Sequence, residues 1–216
     1  MKPIYSTGLI SLFIQILTVL IDTYALTIQV PSSLFLLKQL LWVEYFVNFI
    51  EGTFYVWMIL HFTHIKNITL SRYFDWVITT PIMLITYSMY LLHLKGETGD
   101  LFYLFQKNQT YLVTIILLNW VMLGFGVLNE VGKMNAILST TLGFIPFTLM
   151  FYLIYENYAK YSSLGIYTFY YFALIWGLYG VAALMRYTVK NIMYNILDLF
   201  SKNFFALFLA YKLIYR

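Results

Sequence analysis

Residues 72–81 read Arg72-Tyr73-Phe74-Asp75-Trp76-Val77-Ile78-Thr79-Thr80-Pro81, a run of charged, hydroxyl and aromatic side chains inside the otherwise apolar segment 70–94. A helix that crosses a bilayer needs about 20 mostly apolar residues, and each ionisable group at its middle costs at least ~2.5 kcal/mol on insertion scales. Arg72 and Asp75 are three residues apart, and Asp75 and Thr79 are four apart. The three therefore share one helical face, which must meet a partner or water rather than lipid.

The rest of the 216-residue chain supplies the setting. Hydrophobic residues make up 62%, charged residues 10% and aromatic residues 21%, with a mean hydropathy of +0.77. That balance excludes a water-soluble domain and puts most of the surface against lipid. Segments 4–28, 34–61, 70–94, 109–131, 135–158, 166–186 and 192–214 read as seven spanning helices, a single all-α membrane domain over residues 1–216. The breaks between them carry turn or polar residues and are short, so neighbouring helices are expected to be antiparallel. A spanning β-barrel would need alternating segments of about ten residues, whereas 111–128 and 148–155 are apolar at consecutive positions.

Residues 1–7 carry a single Lys and lead into an apolar stretch without a small-residue cleavage site, which is expected to be a retained first helix. The absence of Cys excludes disulfides and thiolate metal sites. His61, His64 and His93 fall at helix ends, no metal-ligand spacing appears, and no metal is expected. A net charge of +4 is too diffuse to point to nucleic acid. With the N-terminus outside, Lys38, Lys95, Lys107, Lys160, Lys212 and Arg216 lie inside, against Lys2, Lys66, Lys133, Arg186 and Lys190 outside, a balance too even to fix the orientation.

Six ionisable side chains are expected at membrane depth: Glu44, Glu51, Arg72, Asp75, Asp198 and Lys202. Lys202 is separated from the end of its segment by about 12 residues, or ~18 Å of helix, too far to snorkel. Asp198 precedes it by four residues, on the same face, and can pair with it. Such a pair can simply stabilise a bundle. A buried lysine is also the usual amine of a Schiff base. Glu44, Asn48 and Glu51 form a stripe on the second helix, and Asn191, Asn195, Asp198 and Lys202 form another on the seventh. Facing each other, the stripes would line a hydrated route whose carboxylates attract cations.

The strings R-Y-x-D-W-x-x-T-T-P on the third helix, W-x-x-Y on the sixth and D-x-x-x-K on the seventh occur in that order. Over essentially its whole length the chain resembles the microbial (type 1) rhodopsins. The resemblance implies a seven-transmembrane-helix bundle holding all-trans retinal on Lys202 as a protonated Schiff base. Asp75, also the proton acceptor, and Asp198 would be its counterions, because a buried cation needs nearby negative charge. It further implies a retinal pocket of Trp76, Thr79, Thr80, Asn119, Met122, Gly126, Trp176, Tyr179 and Gly180. Within it Thr80 and Asn119 would link the third and fourth helices, with Gly143 and Pro146 nearby on the fifth. The chain departs from the family pattern at Gly180, where Pro is usual, and at Asn119, where Asp is commoner. The fifth helix also lacks a frequent pocket Trp.

The same resemblance implies a photoreceptor rather than an enzyme. An outward proton pump needs a cytoplasmic donor, and the position eleven residues after Asp75 is Thr86, which holds no titratable proton near neutral pH. The link 186–191 also lacks the paired carboxylates of the bacteriorhodopsin release group. Glu44 and Glu51 fall where channelrhodopsins carry glutamates, and Asp198-Leu199-Phe200-Ser201-Lys202-Asn203 is similar to their D-L-x-S-K-N stretch. The short loops resemble the compact rhodopsins of giant algal viruses.

The expected function is a light-gated channel for monovalent cations or protons in a lipid bilayer, with the N-terminus outside and the C-terminus cytoplasmic. Glu44 with Ser11 would form the inner constriction, Glu51 with Asn203 the central one and Arg72 the outer one. Asn48 and Asn195 would line the path. A light-driven outward proton pump and a sensor acting on a separate transducer stay open as alternatives, and so does a homo-oligomer.

Overall fold

A chain inside hydrocarbon can satisfy its backbone only within its own helices or in a closed barrel, and the seven apolar segments are helical in the computed structural model, which describes residues 2–215. In chain order the helices are α1 (Lys2–Thr27), α2 (Phe35–Leu60), α3 (Ile68–Leu94), α4 (Leu101–Lys107), α5 (Gln109–Glu130), α6 (Ala136–Asn157) and α7 (Ser163–Ala183). The last span consists of α8 (Tyr187–Asp198) and α9 (Phe204–Ile214), joined by a π-helical turn over Leu199–Asn203. Seven helical stretches are long and apolar enough to cross a membrane, and the described residues contain no strand. An odd number of spans puts the two termini at opposite ends of the bundle, referred to below as the N-terminal and C-terminal ends.

Side-chain caps set several boundaries that hydrophobic periodicity alone misplaces. Asn67 accepts from the Leu70 backbone N–H, so α3 begins two residues earlier than expected. Ser162 caps the Gly165 N–H in the same way, which starts α7 at Ser163 rather than 166. Between the expected spans lies α4, a helix of seven residues, too short to show a hydrophobic period. Asp100 caps it by accepting from the Tyr103 N–H, Leu104 is its one buried side chain, and the Leu101 N–H donates to Gln39 Oε1 of α2 at 2.9 Å. In the loop before it, a hydrogen bond from Lys107 holds the Glu97 carboxyl below the usual carboxylate range.

The interior changes character along the bundle. Toward the C-terminal end it is aliphatic and aromatic, with Tyr87 stacked on Phe172 at 4.2 Å and Phe205 edge-on to Phe172 at 5.3 Å. Toward the N-terminal end it is polar, built on buried Tyr55, Arg72, Asn191, Asn195 and Asp198. Large apolar side chains such as Phe13, Phe49, Phe74 and Tyr167 point outward, as a lipid-facing surface requires.

A buried ion pair closes the N-terminal end. Lys190 Nζ lies 2.5 Å from Glu130 Oε1, and Glu130 Oε2 accepts from Asn67 Nδ2 at 3.3 Å. The Ile68 N–H donates to the Tyr187 hydroxyl at 3.0 Å. These contacts tie α3, α5 and α8 together and begin the last span at Tyr187, not at 192 as the apolar pattern implied. Removing one partner of a buried pair strands the other charge. Glu130→Gln is expected to destabilise the bundle by about 3 kcal/mol, and the double variant Glu130→Gln with Lys190→Met is expected to recover most of that in thermal unfolding of the purified protein.

Candidate functional site

Lys202 sits in the π-helical turn, 1% exposed. Its Nζ lies 2.6 Å from Asp75 Oδ2 on α3 and 3.6 Å from Glu51 Oε1 on α2. Asp198 does not reach it within salt-bridge distance, although the four-residue spacing suggested a pair. The reason is the wider turn between them, which gives the two side chains different bearings. Asp198 is instead held by Arg72 Nη1 at 3.0 Å, by the Tyr55 hydroxyl at 2.7 Å and by the Tyr179 hydroxyl at 2.7 Å. Each buried cation thus has its own carboxylate. Arg72 also donates to Asn195 Oδ1 and Asn191 Oδ1 and lies about 5.5 Å from the Phe54 ring centroid.

The wide turn is itself supported. The Phe200 carbonyl accepts from the Tyr171 hydroxyl at 2.8 Å, which fixes the stretch that aims Lys202 inward.

An apolar cavity lies beside the Lys202 side chain. Of the expected pocket residues, Trp76, Thr80, Met122, Gly126, Trp176, Tyr179 and Gly180 line it, and so does Gly143. Tyr73, Phe144, Phe147 and Tyr194 add aromatic walls that the sequence reading had not named. Thr79, Asn119 and Pro146 do not reach the cavity. Thr79 Oγ1 donates to the Asp75 carbonyl at 3.0 Å, and Asn119 Nδ2 donates to Thr80 Oγ1 at 2.8 Å, so both stand behind the wall.

The glycines are spacers. A Cβ at Gly180 would come within 2.7 Å of Phe144, and one at Gly126 would overlap the Tyr73 hydroxyl. A buried primary amine opening on a cavity walled by two indoles and three glycines fits a long apolar aldehyde condensed on that amine. The donor set suits retinal.

The polar stripes on α2 and on the last span do not face each other along their length. Because α2 rises from the C-terminal end and α8 descends from the opposite one, they meet end to end, at Glu51 and Lys202. Ser11 belongs to the N-terminal half, where its hydroxyl donates to the Asn195 carbonyl at 2.9 Å; it is not beside Glu44. The register of α1 decides this: the α1 residue that meets the Glu44 stripe is Asp22, which accepts from Asn48 Nδ2 at 3.4 Å. Glu44 itself accepts from the Thr86 hydroxyl, and Asn203 Nδ2 donates to Thr18 Oγ1 at 3.2 Å.

On α1, Gln15, Thr18 and Asp22 are buried polar residues outside the expected site. Their signal was present: with Ser11 they recur at steps of four, three and four along an apolar helix. Among the described residues no three His, Asp or Glu side chains are grouped as metal ligands.

The family model for bacteriorhodopsin-like proteins matches residues 4–215. No curated protein matches the chain. Among solved structures, the viral rhodopsin OLPVRII is 26% identical with a TM-score of 0.84, the match covering 97% of this chain and 96% of that one. Acetabularia rhodopsin I is 16% identical with a TM-score of 0.78, over 100% and 96% of the two chains. The bromide-bound halorhodopsin of Halobacterium salinarum is 14% identical with a TM-score of 0.74, over 97% and 92%. The last two likenesses concern the fold alone. With its seven spans, its buried amine and a family match over nearly its whole length, the chain belongs to the bacteriorhodopsin-like proteins, the microbial rhodopsins, whose chromophore is retinal bound through a lysine.

Proposed function

We propose that this protein is a light-gated cation channel in which Lys202 carries the retinal. Bound there, retinal supplies light absorption and a change of shape at the Lys202 Nζ. Asp75 Oδ2, 2.6 Å away, is placed to neutralise that nitrogen and to take its proton. Asp198 stays engaged by Arg72 and two tyrosines, and so acts on Lys202 through the charge of the site and not by contact.

The observation that carries the channel reading is the column of buried polar groups on both sides of Lys202. Toward the N-terminal end it runs through Arg72, Asn195 and Asn191. Toward the C-terminal end it continues through Glu51, Asn203, Asn48 and Glu44. The Lys202–Asp75 pair holds the last span against α3, with Glu51 of α2 close by. Moving the proton from Nζ to Asp75 removes that attraction, lets α2, α3 and the last span loosen, and opens the column to water and cations.

Glu51 with Asn203 forms the central constriction. Glu44 forms the inner one and Arg72 the outer one, with the N-terminal end outside and the C-terminus in the cytoplasm.

One contact favours a second reading. The Thr86 hydroxyl donates to Glu44, so a carboxyl stands beside the position where a pump would carry its proton donor. Voltage clamp under illumination separates the two: a channel current reverses with voltage and with the ion gradient, whereas a pump current stays outward. A current of fixed sign would overturn the channel, and no current at all would leave the sensor.

Two substitutions test the site. Lys202→Arg is expected to abolish the visible absorption band of the retinal-reconstituted protein, because a guanidinium does not condense with the aldehyde; a retained band would remove Lys202 from its role. Asp75→Asn is expected to move absorption to longer wavelength. Glu51→Gln should move it less, since its oxygen lies 3.6 Å from Nζ against 2.6 Å for Asp75 and Coulomb interaction falls with distance. Glu51→Gln should instead change selectivity or gating; photocurrents and selectivity identical to wild type would take Glu51 out of the path.

A further inference from the structure

One face of α1 is polar and wholly buried, and the chromophore chemistry does not use its far end. Ser11, Gln15 and Thr18 are each 1% exposed and Asp22 is 0% exposed, while Phe13 and Leu20 point to lipid. Asp22 Oδ2 accepts from Asn48 Nδ2, and its Oδ1 has no hydrogen-bonding partner in the protein. Glu44 and Asn48 are four apart on one face of α2. Glu44 Oε1 is taken by the Thr86 hydroxyl, and its Oε2 is left without a partner. Asn48, 1% exposed, spends its amide nitrogen on Asp22 and leaves its Oδ1 unpartnered as well.

Each of the three side chains therefore has one polar atom engaged and one buried oxygen free. The ammonium of Lys202 is already matched by Asp75 and Glu51, and among the described residues neither Asp22 nor Glu44 has a cationic side chain within ion-pair distance. Buried oxygens without donors call for a proton, a cation or an ordered water between them, and two carboxylates side by side favour positive charge there.

Resting on the channel reading above, we propose that Asp22, Glu44 and Asn48 form a monovalent-cation site toward the C-terminal end of the route, and that Asp22 sets which ion passes. The donors are oxygen only, which suits a hard cation. Three free oxygens leave most of an ion's coordination shell to water, so a weakly held monovalent ion can still leave. A site of this kind attracts an alkali ion and still releases it, as conduction requires.

The test uses the whole retinal-loaded protein in lipid nanodiscs, kept dark, with sodium chloride exchanged for choline chloride while infrared difference spectra are recorded. The wild type is expected to show carboxylate bands that grow with sodium. Asp22→Asn should need about tenfold more sodium for the same change, a difference of about 1.4 kcal/mol, whereas Asp22→Glu should keep the response. The visible band reports that each variant is folded around its chromophore.

Under voltage clamp, Asp22→Asn should also shift the reversal potential in a sodium-to-choline gradient. A wild-type spectrum indifferent to sodium, with protonated carboxyl bands in both salts, would overturn the site even if the photocurrent reverses. An Asp22→Asn variant with an unchanged sodium response would overturn the role of Asp22. A sodium response in a protein whose photocurrent never reverses would overturn the channel reading and keep the binding site.

Discussion

The Lys202–Asp75 pair is the interaction on which the interior is organised. An ammonium in a bilayer core has no water to solvate it, so a carboxylate must be brought to it from another helix. Asp75 does this from α3 at 2.6 Å. The same requirement repeats one layer away, where Arg72 of α3 is matched by Asp198 of the last span at 3.0 Å. Two cross-matched pairs between the same two spans fix their relative register more tightly than apolar contact alone, since lipid tails compete well for apolar surface and not at all for charge.

That arrangement leaves Glu51 in an unusual place. It lies within 3.6 Å of Nζ, yet neither of its oxygens makes a hydrogen bond. It therefore senses the charge at Lys202 without being tied to the wall behind it. The groups toward the N-terminal end are far more fully bonded: Asn195 alone contacts Arg72, Tyr55, Thr7 and the Ile4 carbonyl. In the other direction the free oxygens of Asp22, Glu44, Asn48 and Asn203 accumulate. The protein is thus rigid on one side of the chromophore site and under-bonded on the other, and the under-bonded side is the one that a change at Lys202 can most readily rearrange.

The cavity is shaped by large rings set against bare backbone. Two indoles, Trp76 and Trp176, stand in the apolar wall. Glycines at 126 and 180 make room for Tyr73 and Phe144. Phe144 lies against Gly180, the position where the family usually has proline, so the wall there is built by a ring from α6 packing on the bare backbone of α7.

The seven spans, the depth of Lys202, Asp75 and Arg72, and the shared face of Arg72, Asp75 and Thr79 are all legible in the amino-acid order. Apolar length and helical spacing are local properties, and a charge inside an apolar run stands out wherever it lies. Asp22 was equally legible by that rule, since it recurs with Ser11, Gln15 and Thr18 at helical steps. Which charge meets which depends on how the helices pack. The π-helical turn swings Lys202 away from Asp198 and toward Asp75, opposed helix directions set the two polar stripes end to end, and the register of α1 puts Asp22 beside Asn48 and Ser11 beside Asn195. Spacing along one helix gives the angle of a side chain about that helix, but its height against a neighbouring helix comes from loop length, caps and packing, none of which is a property of the helix alone.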